Sequence, residues 1–154
     1  MVLELCYGTL WDVVSGAHGS PMNWTGDLPS DRIVLYEIAD GLNYIHSQKL
    51  VHSNIKPQNI MISCYGNVKL SDFGLYKKAS NNDTRSWMAP ELLNYITDNP
   101  NEIEKEVSPE SDIFSAGSVF FYFVTRGIHP YGESDDVVEN IRQGKQVNIR
   151  SKST

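Results

Sequence analysis

Three short clusters, Val51-His-Ser-Asn-Ile-Lys-Pro-Gln-Asn59, Ser71-Asp-Phe-Gly74 and Trp87-Met-Ala-Pro-Glu91, follow one another in the middle of the chain. The first two are joined by β-prone runs, Asn59 to Ser63 and Val68 to Ser71, around Tyr65-Gly66-Asn67, the composition of a hairpin turn. Ahead of them Ser30 is a good N-cap and Asp31 suits the positive end of a helix. Val34, Ile38, Leu42 and Ile45 then recur at helical spacing, which predicts a helix from Asp31 to Gln48. Behind the clusters, Ser111 to Arg126 carries Ile113, Phe114 and the run Val119-Phe-Phe-Tyr-Phe-Val124, which leaves almost no polar face. A helix apolar all round is expected to be buried all round. Gly127 and then Pro130 stop it, and Ser134 is placed to cap a last amphipathic helix using Val137, Val138 and Ile141.

The remaining segments read more simply. Met1 to Leu5 looks like a strand, Gly8 to Val14 like a short helix, and Gly16 to Pro29 like a loop rich in Gly, Ser, Pro and Asn. The stretch after Gly74 up to Arg85 is polar and loop-like, and the acidic run Asn99 to Glu110 reads as a solvated loop.

Composition bounds the function. The 154 residues are 40% hydrophobic and 21% charged, as in one soluble globular domain. Thirteen basic residues face nineteen acidic ones, for a net charge of −6. This argues against general nucleic-acid binding, because no excess positive charge is available to displace counterions from phosphates. Cys6 and Cys64 form no CxxC pair, so neither a disulfide framework nor a structural zinc site is indicated, and reduced thiols in a cytosolic setting are expected. The apolar run ending at Val124 is far short of the ~20 residues of a membrane span. The amino terminus enters Val2-Leu3-Glu4-Leu5 without a basic leader, so no signal peptide is expected.

The three clusters, with Asp112-Ile-Phe-Ser-Ala-Gly117 after them, resemble a protein kinase, in which the catalytic loop, the metal-binding triplet and the Ala-Pro-Glu motif come in this order. The resemblance covers nearly the whole chain. It implies a mainly helical α+β fold, the C-terminal lobe of a protein-kinase-like domain, with residues 1–154 forming the hinge and most of the large lobe. It also implies ATP and Mg2+ as cofactors, because phosphoryl transfer needs metal ions on the phosphates, a carboxylate to take the nucleophile's proton and a cation on the migrating group. By position, Asp72 and Asn59 would be the metal ligands, Lys56 would reach the transferred phosphate, and Asn54 would occupy the place of the base. Asp72 could otherwise be an ordinary turn aspartate. Lys56, with Thr84 ahead of Trp-Met-Ala-Pro-Glu, resembles serine/threonine kinases rather than tyrosine kinases. His52 and Phe73 would belong to the stacked column of the kinase core. Asp112 would accept hydrogen bonds from the catalytic-loop backbone or simply cap its helix. At the front, Leu3-Glu4-Leu5-Cys6 resembles the hinge, with Leu3 as gatekeeper and the backbone of Glu4 and Cys6 meeting the adenine edge. Met61 would lie under the purine, with plain strand packing as its alternative.

A narrower resemblance rests on Leu-Glu-Leu-Cys6, Ser71-Asp-Phe-Gly-Leu-Tyr-Lys-Lys78, Asp112-Ile-Phe-Ser-Ala-Gly-Ser-Val-Phe-Phe-Tyr122 and Gly127-Ile-His-Pro-Tyr-Gly132. These look like the inositol-requiring kinase/endoribonucleases of the unfolded-protein response, with the oligoadenylate-dependent ribonuclease as a second candidate that the intact Asp-Phe-Gly disfavours. That family is anchored in the endoplasmic reticulum membrane with its kinase on the cytosolic side, which implies a cytoplasmic location and a kinase homodimer or a partner kinase. Ribonuclease activity would need a further carboxy-terminal domain.

The chain also departs from the pattern. Where His-Arg-Asp is expected it reads His52-Ser53-Asn54. Asn54 can hold a hydroxyl but cannot take its proton, a loss of ~10²–10⁴ in rate. Ser53 has neither the charge nor the bidentate fork with which an arginine reads a phosphate, so phosphorylation at Ser80, Thr84 or Ser86 is expected to have no receiver. No Gly-rich loop and no Val-Ala-Ile-Lys strand occur in these residues, so one lobe of a two-lobed fold is expected, from a fragment or a truncated paralogue. Two readings follow: a serine/threonine-kinase-like lobe that is weak or inactive, and a pseudokinase module that binds nucleotide or a partner kinase and signals by shape.

Overall fold

The computed structural model describes residues 5–16, 29–74, 82–99, 106–133 and 136–149. Leu3, Glu4, Ser80 and Ser134 therefore lie outside the described residues, as does most of the strand expected at Met1 to Leu5.

The chain enters through a strand, β1 (Cys6–Thr9), directly followed by helix α1 (Leu10–Ser15). Thr9 makes this abrupt change possible. Its hydroxyl accepts from the Asp12 backbone N–H at 3.2 Å, while its own N–H donates to Asp12 Oδ2 at 2.8 Å, a reciprocal cap on two unpaired donors. Gly16, at φ +61°, ends the helix. Helix α2 (Asp31–Ser47) forms as the periodicity predicts, burying Val34, Ile38 and Leu42. Ser30 stands at the cap position but makes no side-chain cap bond; its carbonyl takes the N–H groups of Ile33 and Val34.

A single 3₁₀ turn (Pro57–Asn59) leads into β2 (Ile60–Ser63), which turns back through Gly66 at φ +80° into β3 (Val68–Leu70). The expected hairpin is present, and β1 adds to it. The sheet has three antiparallel strands in the order β1-β2-β3, with Cys6 opposite Ser63, Thr9 opposite Met61, and Met61 opposite Lys69. Two contacts seat the hairpin on α2: Glu37 accepts from the Val68 N–H at 2.6 Å, and a Cβ on Gly41 would stand 3.1 Å from Leu70 Cδ1.

The polar stretch expected to be loop up to Arg85 ends in a short helix, α3 (Asn82–Arg85). After α4 (Pro90–Asp98) comes α5 (Pro109–Val124), then α6 (Val137–Arg142). Helix α5 starts two residues before the expected Ser111, because Ser108 and Ser111 cap one another and Pro109 is preset for the first turn. Asp112 is thus inside the helix and is not its cap. Nor is α5 buried all round. Ser111, Asp112, Ser115, Ala116, Val119 and Phe123 face inward, whereas Ile113 is 62% and Val124 46% exposed. Toward the helix N-terminus the inward face is carried by Ser111, Asp112 and Ser115, which let the backbone of His52 and Ser53 come close, so side-chain apolarity alone misplaces the buried stripe there.

The main core joins Leu10, Val34, Ile38, Ile60, Ile62 and Phe123 around α5, and a second cluster gathers α4 and α6 around Met88, Leu93 and Tyr131. A row of rings links the parts. Trp11 stacks on Tyr122 at 5.7 Å, Trp87 meets Tyr122 edge-on at 5.4 Å, and His129 meets Trp87 at 4.6 Å. Burial pushes His129 down to about 4, and its Nδ1 accepts from the Tyr131 N–H at 3.2 Å. The unfolded chain protonates this ring near its ordinary value of about 6.5, while the folded chain resists to about 4. Stability is therefore complete above about pH 6.5 and falls as pH drops toward 4, by about 3 kcal/mol from this group. His52 is also lowered by burial and adds to the same slope. His129→Asn keeps an acceptor for Tyr131 and removes the titration, so urea midpoints between pH 6.5 and 4 should fall less steeply in the variant. Equal slopes would contradict this assignment.

Candidate active site

The loop Val51 to Asn59 is held from beneath by one carboxylate. Asp112, 1% exposed, accepts from the His52 N–H on Oδ2 at 2.7 Å and from the Ser53 N–H on Oδ1 at 2.8 Å. His46 Nε2, at the end of α2, lies 2.9 Å from Oδ2, a bond that places the proton on that nitrogen. Ser53 sits at φ +64°, a conformation that an L residue keeps only when its surroundings impose it, and here Asp112 does so. The expectation that Asp112 receives the loop backbone is met, and His46 is a partner that no motif in the sequence announces.

Above this anchor the motif residues converge. His52 is fully buried, and burial lowers its pKa against the opposing pull of Asp112. Phe73 meets its ring edge-on at 6.4 Å, as expected of the stacked column, and the His52 carbonyl accepts from the Gly74 N–H at 2.9 Å. Asn59 donates from Nδ2 to the Asn54 carbonyl at 2.8 Å, and its own carbonyl accepts from the Ser71 N–H at 2.9 Å. Asn54 in turn donates from Nδ2 to the Asp72 carbonyl at 3.3 Å. Asn54, Asn59 and Asp72 are thus one hydrogen-bonded unit. Asp72 is exposed and stands at φ +57°, which turns the chain sharply just before Phe73 packs on His52.

Lys56 leaves this unit on the other side. Its ammonium donates to Asp83 Oδ2 at 2.8 Å and to Thr84 Oγ1 at 3.1 Å, and Gln58 Nε2 donates to Asp83 Oδ1 at 3.0 Å. Thr84 is 8% exposed, so its hydroxyl is turned into the fold. Neither Asp83 nor Gln58 stands out in the sequence, where Asp83 lies in a stretch read as loop. Ser53 Oγ has no hydrogen-bond partner and lines a small cavity with Lys56, Thr84, Trp87, Ser111 and Ser115. Lys56 is the cation on that wall, and Asp83 already matches its charge.

On the sheet, Met61 is half-buried between Ile60 and Ile62, which are buried, and pairs with Thr9 of β1. Cys6 begins β1, so Cys6 and Met61 belong to neighbouring strands of one sheet.

Oxygen chemistry decides which metal this unit fits. Among the described residues no three His, Cys, Asp or Glu side chains gather to hold an ion by themselves. Asp72 offers a carboxylate and Asn59 an amide carbonyl whose NH2 is already committed to Asn54, hard oxygens of the kind that suit Mg2+ completed by phosphate and water.

A catalytic loop seated on a buried helix carboxylate, an Asp-Phe-Gly turn packed on its histidine and an Ala-Pro-Glu segment opening α4 place the chain among the protein kinases. It belongs to that family: the protein kinase domain pattern matches residues 1–153. Its relatives include kinase/endoribonucleases of the IRE1 type. The human serine/threonine-protein kinase/endoribonuclease IRE2 is 38% identical over 87% of this chain. The Caenorhabditis elegans serine/threonine-protein kinase/endoribonuclease ire-1 is 34% identical over 94% of it, and the Schizosaccharomyces pombe sensor for unfolded proteins in the ER, ire1, 31% identical over 94%. The chain spans about 15% of the length of such relatives. Among the described residues no helix is long and apolar enough to cross a membrane.

Proposed function

We propose that this lobe binds a magnesium-complexed ATP, with Asp72 and Asn59 as metal ligands and Lys56 toward the terminal phosphate, and that its phosphotransfer to serine or threonine is impaired because Asn54 replaces the catalytic aspartate. The hinge backbone at Glu4 and Cys6, with Leu3 and Met61, would form the adenine side. Bound there, Mg2+ would neutralise charge on the phosphates. The rest falls to the chain's own groups: Asp112 fixes the loop, Asn59 ties the loop to the Ser71-Asp72 strand end, and Asn54 offers a hydroxyl a hydrogen bond but no proton acceptor. The observation that carries this reading is the bonded unit of Asn54, Asn59 and Asp72, in which both proposed metal ligands sit beside the loop and only the charge at 54 is lost.

That same unit favours a second reading. With Asn54 donating to the Asp72 carbonyl, the metal-binding turn is tied to the loop, a contact that suits a nucleotide-sensing pseudokinase acting on a second copy or a partner kinase. The proposal extends, through the family resemblance of the sequence, to a cytoplasmic site of action and to pairing with a second copy or a partner kinase.

Calorimetry with ATP tests the proposal. Binding should require Mg2+, and Asp72→Ala should weaken it by at least about tenfold, the loss seen when even an outer partner of a bound metal is removed. Binding that is indifferent to Mg2+ and to Asp72→Ala would remove the metal assignment.

A further inference from the structure

Helix α3 brings a carboxylate to the cation that the proposed function reserves for phosphate. Both oxygens of Asp83 are engaged by the catalytic loop, Oδ2 by Lys56 and Oδ1 by Gln58, at 2.8 and 3.0 Å. The Thr84 hydroxyl next to it takes a second Lys56 donor at 3.1 Å. Two of the three ammonium protons are therefore spent on α3. The Lys56 side chain is only 14% exposed and Asp83 48%, so the lysine has little water to replace the carboxylate with, whereas Asp83 can turn outward into solvent. An anion arriving at Lys56 must displace Asp83 or share a charge that Asp83 already matches.

We infer that Asp83 sets the discrimination between nucleoside triphosphates and diphosphates in this cleft: it is an intramolecular competitor of the terminal phosphate for Lys56. The inference rests on the reading of Lys56 as the residue facing that phosphate. A diphosphate ends short of Lys56 and leaves α3 docked. A triphosphate must displace Asp83 or share Lys56 with it, so the chain favours the diphosphate more than its cleft otherwise would. Coupling is reciprocal: a triphosphate that loses affinity to α3 must in turn loosen α3.

The test is a double-mutant cycle on the full chain, reading the ratio of Mg-ATP to Mg-ADP affinity by calorimetry in the parent, Asp83→Asn, Lys56→Met and the double variant. Asp83→Asn should raise the ratio about fivefold, the scale of a partly exposed ion pair. Lys56→Met should lower it, and in the Lys56→Met background Asp83→Asn should leave it unchanged. Hydrogen exchange in residues 82–85 should be faster with Mg-ATP than with Mg-ADP. A ratio that Lys56→Met lowers but Asp83→Asn does not move overturns the competition and spares the phosphate role of Lys56. A rise that persists without Lys56, or that affects both nucleotides alike, marks a general charge effect and also overturns it. If Lys56→Met leaves the ratio unchanged, or neither nucleotide binds any variant, the reading of the cleft fails and the inference falls with it.

Discussion

Asn54→Asp is expected to raise phosphotransfer by about 10²–10⁴ in a chimera that carries the Gly-rich lobe of a related kinase fused ahead of Met1, the gain a positioned general base supplies. The fused lobe provides a phosphate cradle, because positioning and electrostatics do most of the work in kinases and a carboxylate alone cannot replace them. Geometry makes the substitution apt. The loop is fixed by Asp112 independently of the side chain at 54, and the Asn54 N–H rests on His52 Nδ1 at 3.3 Å. A carboxylate cannot keep the bond that Asn54 Nδ2 makes to the Asp72 carbonyl, since two acceptors would face each other, so it turns away from that carbonyl toward the open side of the loop. Release of radiolabelled phosphate onto a peptide would measure the change. Equal activity of the chimera with and without the Asn54→Asp substitution would mean that position 54 is not where the hydroxyl loses its proton.

The second large effect concerns the anchor. Asp112→Ala should destabilise the fold by about 3–5 kcal/mol, the cost of breaking a buried charged contact and leaving its partners unpaired. The His52 and Ser53 N–H groups and His46 all lose their acceptor at once, the first of them in a fully buried bond. Ser53, held at φ +64° by this carboxylate, would relax and carry Asn54 with it. Urea denaturation reads the loss directly, and Asp112→Asn, which keeps one acceptor oxygen, should fall between alanine and the parent. A loss below about 1 kcal/mol for alanine would show that the loop is held by something else.

What is legible in the sequence divides along a physical line. Helix α2 and the hairpin are readable because their signals are local: Val34, Ile38 and Leu42 repeat at helical spacing, and Tyr65-Gly66-Asn67 demands a turn. Asn54, Lys56, Asn59 and Asp72 stand out in the sequence because they lie in short motifs, although the hydrogen bonds that join Asn54, Asn59 and Asp72, and the turn of Lys56 away from them toward Asp83, are tertiary facts. Strand β1 escapes such a reading because Cys-Tyr-Gly-Thr has no alternation, and its strand character comes from pairing with β2. The exposed face of α5 misleads because Ile113 and Val124 look like core, while Ser111 and Ser115, which look like surface, are buried under the loop. His46 and Asp83 leave no trace, since their partners lie 66 and 27 positions away and no periodicity reports contacts at such distances.

A metal nucleotide held between Asn59 and Asp72, below a loop that lacks its proton acceptor, is the central proposal. Manganese in place of magnesium, added with ATP to the isotopically labelled chain, tests this most directly by paramagnetic broadening of nuclear magnetic resonance signals. Broadening centred on Asn59 and Asp72, weaker at Asn54 and Lys56 and removed by Asp72→Ala, is the predicted result. Broadening centred elsewhere, or unchanged in Asp72→Ala, would contradict it.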